Sequence, residues 1–118
     1  MAVARDAFER VRKIGLALPG VEAAIKYDGS PLLKAGGSFM AGLATDESSE
    51  ADTLVVRCEF DDRELLLEDA PDTYYVTEYH AKYPVVLVRL SEVTDDALRD
   101  LLSVSRKMAL EKSRRPPA

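Results

Sequence analysis

The chain has 118 residues, of which 47% are hydrophobic and 31% charged, with a net charge of −5. That length suits one ordinary domain, able to bury about two thirds of its unfolded surface without staples, and the negative sign argues against general affinity for phosphate backbones. No apolar run approaches the roughly 20 residues needed to cross a bilayer, Met1 to Asp6 lacks the order of a signal peptide, and the single cysteine, Cys58, cannot pair internally, so a reducing cytoplasm is expected.

Residues 3–18 read as a first helix. Ala4, Ala7, Phe8, Val11, Ile14, Gly15 and Leu18 recur near helical spacing, and Pro19-Gly20 stops the run. Residues 23–28 are a weak strand candidate closed by a turn at Asp28-Gly29-Ser30-Pro31. Leu32–Ala35 and Ser38–Ala44 flank Gly36-Gly37, the pattern of a two-residue hairpin. Residues 45–53 have no apolar periodicity and are expected to form a mobile acidic loop. Thr53–Phe60 alternates, with Leu54, Val56, Cys58 and Phe60 on one face and Val55, Arg57 and Glu59 on the other.

Asp61 is placed to cap a second helix with Glu64 as its capping-box partner. Leu65-Leu66-Leu67 would supply the buried side, and Ala70-Pro71 the end. Thr73–Thr77 suggests a short strand. Val85–Leu90 is apolar with little alternation, as expected of a strand covered in part on both faces. Thr94, with Asp95 and Asp96 behind it, is the cap of a last helix whose inner face is Leu98, Leu101, Leu102, Ser105, Met108 and Ala109. The resulting order, α-β-β-β-α-(β)-β-α, predicts an α+β fold of two layers: an antiparallel sheet with helices on one face.

Charge is unevenly spread. Residues 46–72 carry eleven acids and two bases, while 106–115 carry five bases, Arg106, Lys107, Lys112, Arg114 and Arg115, against Glu111. Residues 1–111 read as the domain and 112–118 as a basic, flexible tail.

The stretch richest in chemistry is Thr77 to Leu90. It sets the only histidine, His80, with Tyr79, Lys82 and Tyr83 directly before an apolar strand. A loop of aromatic and titratable groups on a rigid strand is a common form of binding site. The ligand-binding candidates are Lys34, Arg57, Tyr79, His80, Lys82, Tyr83 and Arg89: cations inside strands and aromatics beside them, suited to an acidic ligand. The plainer alternative is a cross-strand ion pair of Arg57 or Arg89 with Glu59. The Tyr79–Tyr83 loop is expected on the surface beside the helix-free sheet face, with His80 at least partly exposed. No catalytic residues, metal ligands or cofactor are assigned. No Ser or Cys stands in a recognisable triad motif, and one His and one Cys make a poor metal set. Cys58 reads as a small core residue. A binding module without catalytic activity is favoured over a small enzyme, or a small-ligand binder, built on the His80/Tyr83 loop.

Four segments then carry a resemblance. Leu18-Pro19-Gly20-Val21-Glu22, Ser30 through Ala41, Arg63-Glu64-Leu65-Leu66-Leu67 and Tyr83 through Leu90 occur in an order similar to the MmcQ/YjbR-like family, over about residues 5–110. The resemblance implies a single compact domain of type III secretion chaperone-like architecture and carries the family's DNA-binding label. It implies no established catalysis. Many relatives have Gly-Gly-Lys at the hairpin turn where this chain has Gly36-Gly37-Ser38, so a phosphate-binding cation is missing. The expected partners are nucleic acid, bound weakly and with strong salt dependence, or a protein or acidic ligand. No membrane partner is expected, and a monomer is favoured.

Overall fold

The computed structural model describes residues 3–114, with side chains from 7 to 112. Helix α1 (Val3–Leu16) leads into four consecutive strands, β1 (Val21–Ile25), β2 (Pro31–Ala35), β3 (Ser38–Leu43) and β4 (Thr53–Arg57). Helix α2 (Phe60–Asp69), a two-residue β5 (Tyr74–Tyr75), β6 (Val85–Arg89) and helix α3 (Asp95–Arg114) complete the order. The six strands form one sheet ordered β1-β2-β3-β4-β6-β5, with every neighbouring pair antiparallel. This is the α+β architecture expected, with the weak strand candidate near 23–28 present as β1, so that four strands precede α2 where the expected order had three.

The turns follow from local chemistry. Gly36 and Gly37 both have positive φ, 59° and 82°, as a two-residue hairpin turn matched to strand twist demands. The first strand runs Val21–Ile25 rather than 23–28, because the chain is already turning beyond it. Asp28 accepts hydrogen bonds from the Ser30 backbone N–H at 2.9 Å and hydroxyl at 2.6 Å, and both hold its carboxyl below the usual range, the side-chain bond most.

Helices α1 and α3 cover one face. Leu33, Met40, Leu54, Val56, Val86 and Val88 meet Phe8, Val11, Leu98 and Leu102 in a core closed to water. Gly15 lets α1 lie close: a Cβ there would stand 2.3 Å from Leu33 Cδ1. Arg10 ties α1 to the start of α3, through Asp95 at 2.5 Å, the Leu90 carbonyl at 2.9 Å and the Val93 carbonyl. Of the inner face read for α3, Leu98, Leu101, Leu102, Ser105 and Ala109 are buried, whereas Met108 is half-buried outside the core and Leu110 packs against it instead. Ser105 is fully buried and donates to the Met40 carbonyl at 2.8 Å, so its polarity is matched inside the core. Thr94 caps the helix, its Oγ1 accepting from the Ala97 N–H at 3.1 Å.

The second helix departs from the sequence expectation. Phe60 leaves the β4 face and opens α2, where it is exposed. The N-cap is Glu59, with no side-chain cap bond, and Asp61 and Asp62 sit in the first turn, where the helix dipole favours acids. Leu65 is exposed, Leu66 and Leu67 are half-buried, and the residue α2 buries is Arg63.

The basic segment read as 112–118 begins inside α3, which runs to Arg114, and 115–118 lie outside the described residues.

Candidate functional site

One row of the sheet points away from the helices. Register aligns Ala24, Leu32, Gly42, Val55, Leu87 and Tyr75 from β1 to β5, and directly paired residues share a face. Leu87 is fully buried yet lies outside the helix-side core. The segment between β5 and β6 turns back across this face and closes a pocket of about 380 Å³ over Gly42 and Val55. The walls come from three separate segments: Lys26 and Tyr27 after β1, Thr45 and Asp46 after β3, and Tyr79 and His80 before β6, with Phe39 beside them.

The turn carrying His80 is built locally. Thr77 receives the His80 N–H on its carbonyl at 3.1 Å, and its hydroxyl shares a 2.7 Å bond with His80 Nδ1. Tyr79 packs its ring edge-on to the imidazole, centroids 5.0 Å apart, and lies 6.1 Å from Tyr83. His80 is 7% exposed, which corrects the expectation of a partly exposed imidazole. The loop does lie beside the helix-free face as read, but it folds the ring inward. Burial lowers the His80 pKa, and Lys26 adds to the effect while Asp46 opposes it, so the ring is neutral at neutral pH. The turn after Ala44 is fixed in part by Asp46, which accepts from the Ser48 N–H at 2.9 Å and from its hydroxyl. Those bonds keep its carboxyl below the usual range.

The loop is fastened from beneath by Arg63. Its guanidinium donates to the carbonyls of Tyr83 at 3.0 Å, Val85 at 3.1 Å and Ala81 at 3.0 Å, and lies 4.9 Å from the Phe60 ring centroid. Sequence reasoning gave Arg63 no role, because a buried arginine has no local signature that separates it from a solvated one.

The sequence-derived candidates divide. Tyr79 and His80 line the pocket. Tyr83 stands next to Tyr79, and Lys82 Nζ lies 5.5 Å from the Tyr83 ring centroid. Lys34 sits in β2, in register with Glu22 and Phe39. Arg57 donates from Nε to the Phe39 carbonyl at 2.7 Å and borders a groove on the helix side. Arg89 makes a two-pronged pair with Glu50, at 2.9 and 2.7 Å, reaches the carbonyls of Pro71 and Asp72, and lies 4.4 Å from the Tyr75 ring centroid. The acidic partner is therefore Glu50 and not Glu59. That pair, with the Tyr75 hydroxyl 2.8 Å from the Glu50 N–H and 2.7 Å from Thr53 Oγ1, ties down the acidic loop. Cys58 is buried, as read, and its thiol pKa is pushed up to about 11 by burial first and Asp62 second.

The model of the YjbR family matches residues 16–108, well over half of the sequence. The chain belongs to the YjbR family. Among solved structures, this YjbR chain resembles the crystal structure of Deinococcus radiodurans protein DR2400, described with family-model domain DUF419. The TM-score is 0.66 over 92% of this chain and 88% of that one, at 19% identity. The likeness establishes the shared fold. No curated protein matches the sequence. The described residues of this YjbR chain include no helix long and apolar enough to cross a membrane, and no cluster of three or more His, Cys, Asp or Glu able to hold a metal ion.

The lowered pKa of His80 has a consequence for stability. Unfolded His80 takes a proton near its ordinary 6.5, whereas the native ring takes one only at lower pH. Between the two values the unfolded chain binds more protons, so acid favours unfolding. The contribution is complete above the ordinary value and declines as pH falls through the native one. Urea midpoints at about pH 7.5 and about pH 5 are expected to differ less in His80→Gln than in the parent. An unchanged difference would place the acid sensitivity elsewhere.

Proposed function

We propose that this YjbR domain is a binding module without catalytic activity, and that it seats a small polar ligand in the His80 pocket. The observation that carries this reading is convergence. Aromatic, cationic and acidic side chains from three segments meet over a floor of sheet backbone, in a hollow within the usual size of small-molecule sites. Phe39 and Tyr79 supply aromatic surface, and Asp46 and Lys26, whose Nζ lies 3.4 Å from Thr45 Oγ1, supply a carboxylate and a cation. Against catalysis stands the lack of any Ser or Cys among the pocket's lining residues.

Nucleic acid is the weaker reading. Arg89 is paired with Glu50, Arg57 donates to the Phe39 carbonyl and borders the groove on the helix side, Ser38 stands at the hairpin turn, and Arg106, Lys107 and Lys112 belong to α3 in the helix layer. Any DNA affinity is expected to be weak, indifferent to sequence and steeply salt-dependent, and to be largely lost when residues 112–118 are deleted.

The test titrates isotope-labelled protein with benzoate, indole-3-acetate, adenine and orotate, and measures anisotropy with several duplexes at low and physiological salt. Saturable shifts confined to Tyr27, Phe39, Tyr79 and His80, abolished by Tyr79→Ala, are the expected result. Tight binding of one duplex at physiological salt, unaffected by the deletion, would overturn it.

A further inference from the structure

Helix α2 turns a large apolar side chain outward. Leu65 is 65% exposed in the middle of the helix, and Val104 on α3 is 45% exposed. Both border a groove of about 410 Å³ between the two helices. Its apolar lining includes Leu66, Tyr74 and Leu101, while Asp62 and Asp69 from α2 and Asp100 from α3 bring carboxylates from both sides. None of these three aspartates forms an ion pair among the described residues. Arg57 also borders the groove, its Nε donating to the Phe39 carbonyl, so the groove sets three carboxylates against one cation. The groove thus combines an apolar floor with unpaired negative charge on both walls. It lies on the helix side of the sheet, away from the His80 pocket, and it is independent of that reading.

We propose that this groove docks a cationic amphipathic segment of another protein. Its apolar residues would lie on Leu65, Leu66 and Leu101, with lysines or arginines against Asp62, Asp69 and Asp100. The argument is charge complementarity joined to exposed apolar surface. A trough of this form takes one face of a helix, and its carboxylates repel phosphate and anionic lipid, which leaves a basic polypeptide as the fitting occupant.

The experiment uses the full chain and three fluorescein-labelled peptides of about 14 residues, long enough for a marginal helix. The first has leucines at helical spacing and lysines elsewhere. The second replaces the lysines with glutamates, and the third replaces the leucines with serines. The first alone is expected to bind saturably. Binding should weaken by at least about tenfold in D62N/D69N/D100N, and stay within about twofold in E47Q/E92Q/E111Q, which removes equal charge elsewhere. Leu65→Ser, at an exposed position, is expected to weaken binding while thermal unfolding is retained, and it keeps the test open if the triple aspartate variant does not fold. Equal loss in both triple variants, or equal affinity for the serine–lysine peptide, would show diffuse electrostatics and overturn the proposal. A concentration-dependent dimer that Leu65→Ser dissociates would also overturn it, by making a second copy the occupant.

Discussion

Leu102→Ala is expected to lower the unfolding free energy by about 4 kcal/mol, near the top of the range for leucine truncation in a core. Leu102 is fully buried within the helix-side core. Its removal leaves a hole walled by α3 and by strands paired on both sides, which have little freedom to collapse into it. Its neighbour supplies the control. Leu101 is also buried, but it borders the open α2–α3 groove, so water and the loosely packed α2 can fill the space it leaves. Leu101→Ala is expected to cost about 2 kcal/mol, the lower end of the same range. Urea unfolding of both variants reads the difference directly. Equal losses would show that the groove is closed in solution, and a loss for Leu102 of only about 0.5 kcal/mol, as at surface positions, would show that α3 is rotated from the placement described.

Arg63→Met is expected to cost about 2–4 kcal/mol. Hydrogen bonds to charged groups contribute about 1.5–3 kcal/mol each, and the sum over three carbonyls is reduced because a surface loop can rehydrate. The effect is directional as well as large. Ala81, Tyr83 and Val85 all lose their donor, so amide exchange is expected to rise between residues 78 and 85 before it rises in β2 or β3. Arg63→Lys should not rescue it, since an ammonium cannot reproduce a planar fork spread over three acceptors. Hydrogen exchange that rises uniformly, or a lysine variant with parental protection, would sink the idea of a clamp specific to the His80 turn.

Legibility in the sequence tracked how local each determinant is. Gly36-Gly37, Thr94 with Ala97, and the spacing from Leu98 to Ala109 each act within a turn or one helix face, and all three were readable. Helix α2 was misread because a leucine triplet normally implies a buried side, whereas this helix lies at the margin of the sheet and buries an arginine between acids. His80 was placed in the right loop with the wrong exposure. Its burial depends on the sheet face beneath the loop, and no residue near it in sequence reports that. Tyr27, Phe39, Thr45 and Asp46 were missed for the same reason: they reach the pocket from other segments. Glu50 was missed as the partner of Arg89 because 39 positions separate them.

The route of the chain between β4 and β6 bears on the order in which the molecule assembles. Strands β1 to β4 follow one another as a meander, and each pairs with its predecessor. Arg57 and Val85, in contrast, meet only after α2 and β5 have intervened. Closing that larger loop costs more chain entropy than closing a hairpin, so the meander is the natural nucleus and β6 joins afterwards. Truncations in the β2–β3 hairpin are therefore expected to slow refolding, while Leu87→Ala mainly speeds unfolding. The reverse partition in stopped-flow kinetics would refute this order. The His80 turn then belongs to the last part of the molecule to form and the first to be released, which lets its pocket open without disturbing the meander that supplies its floor.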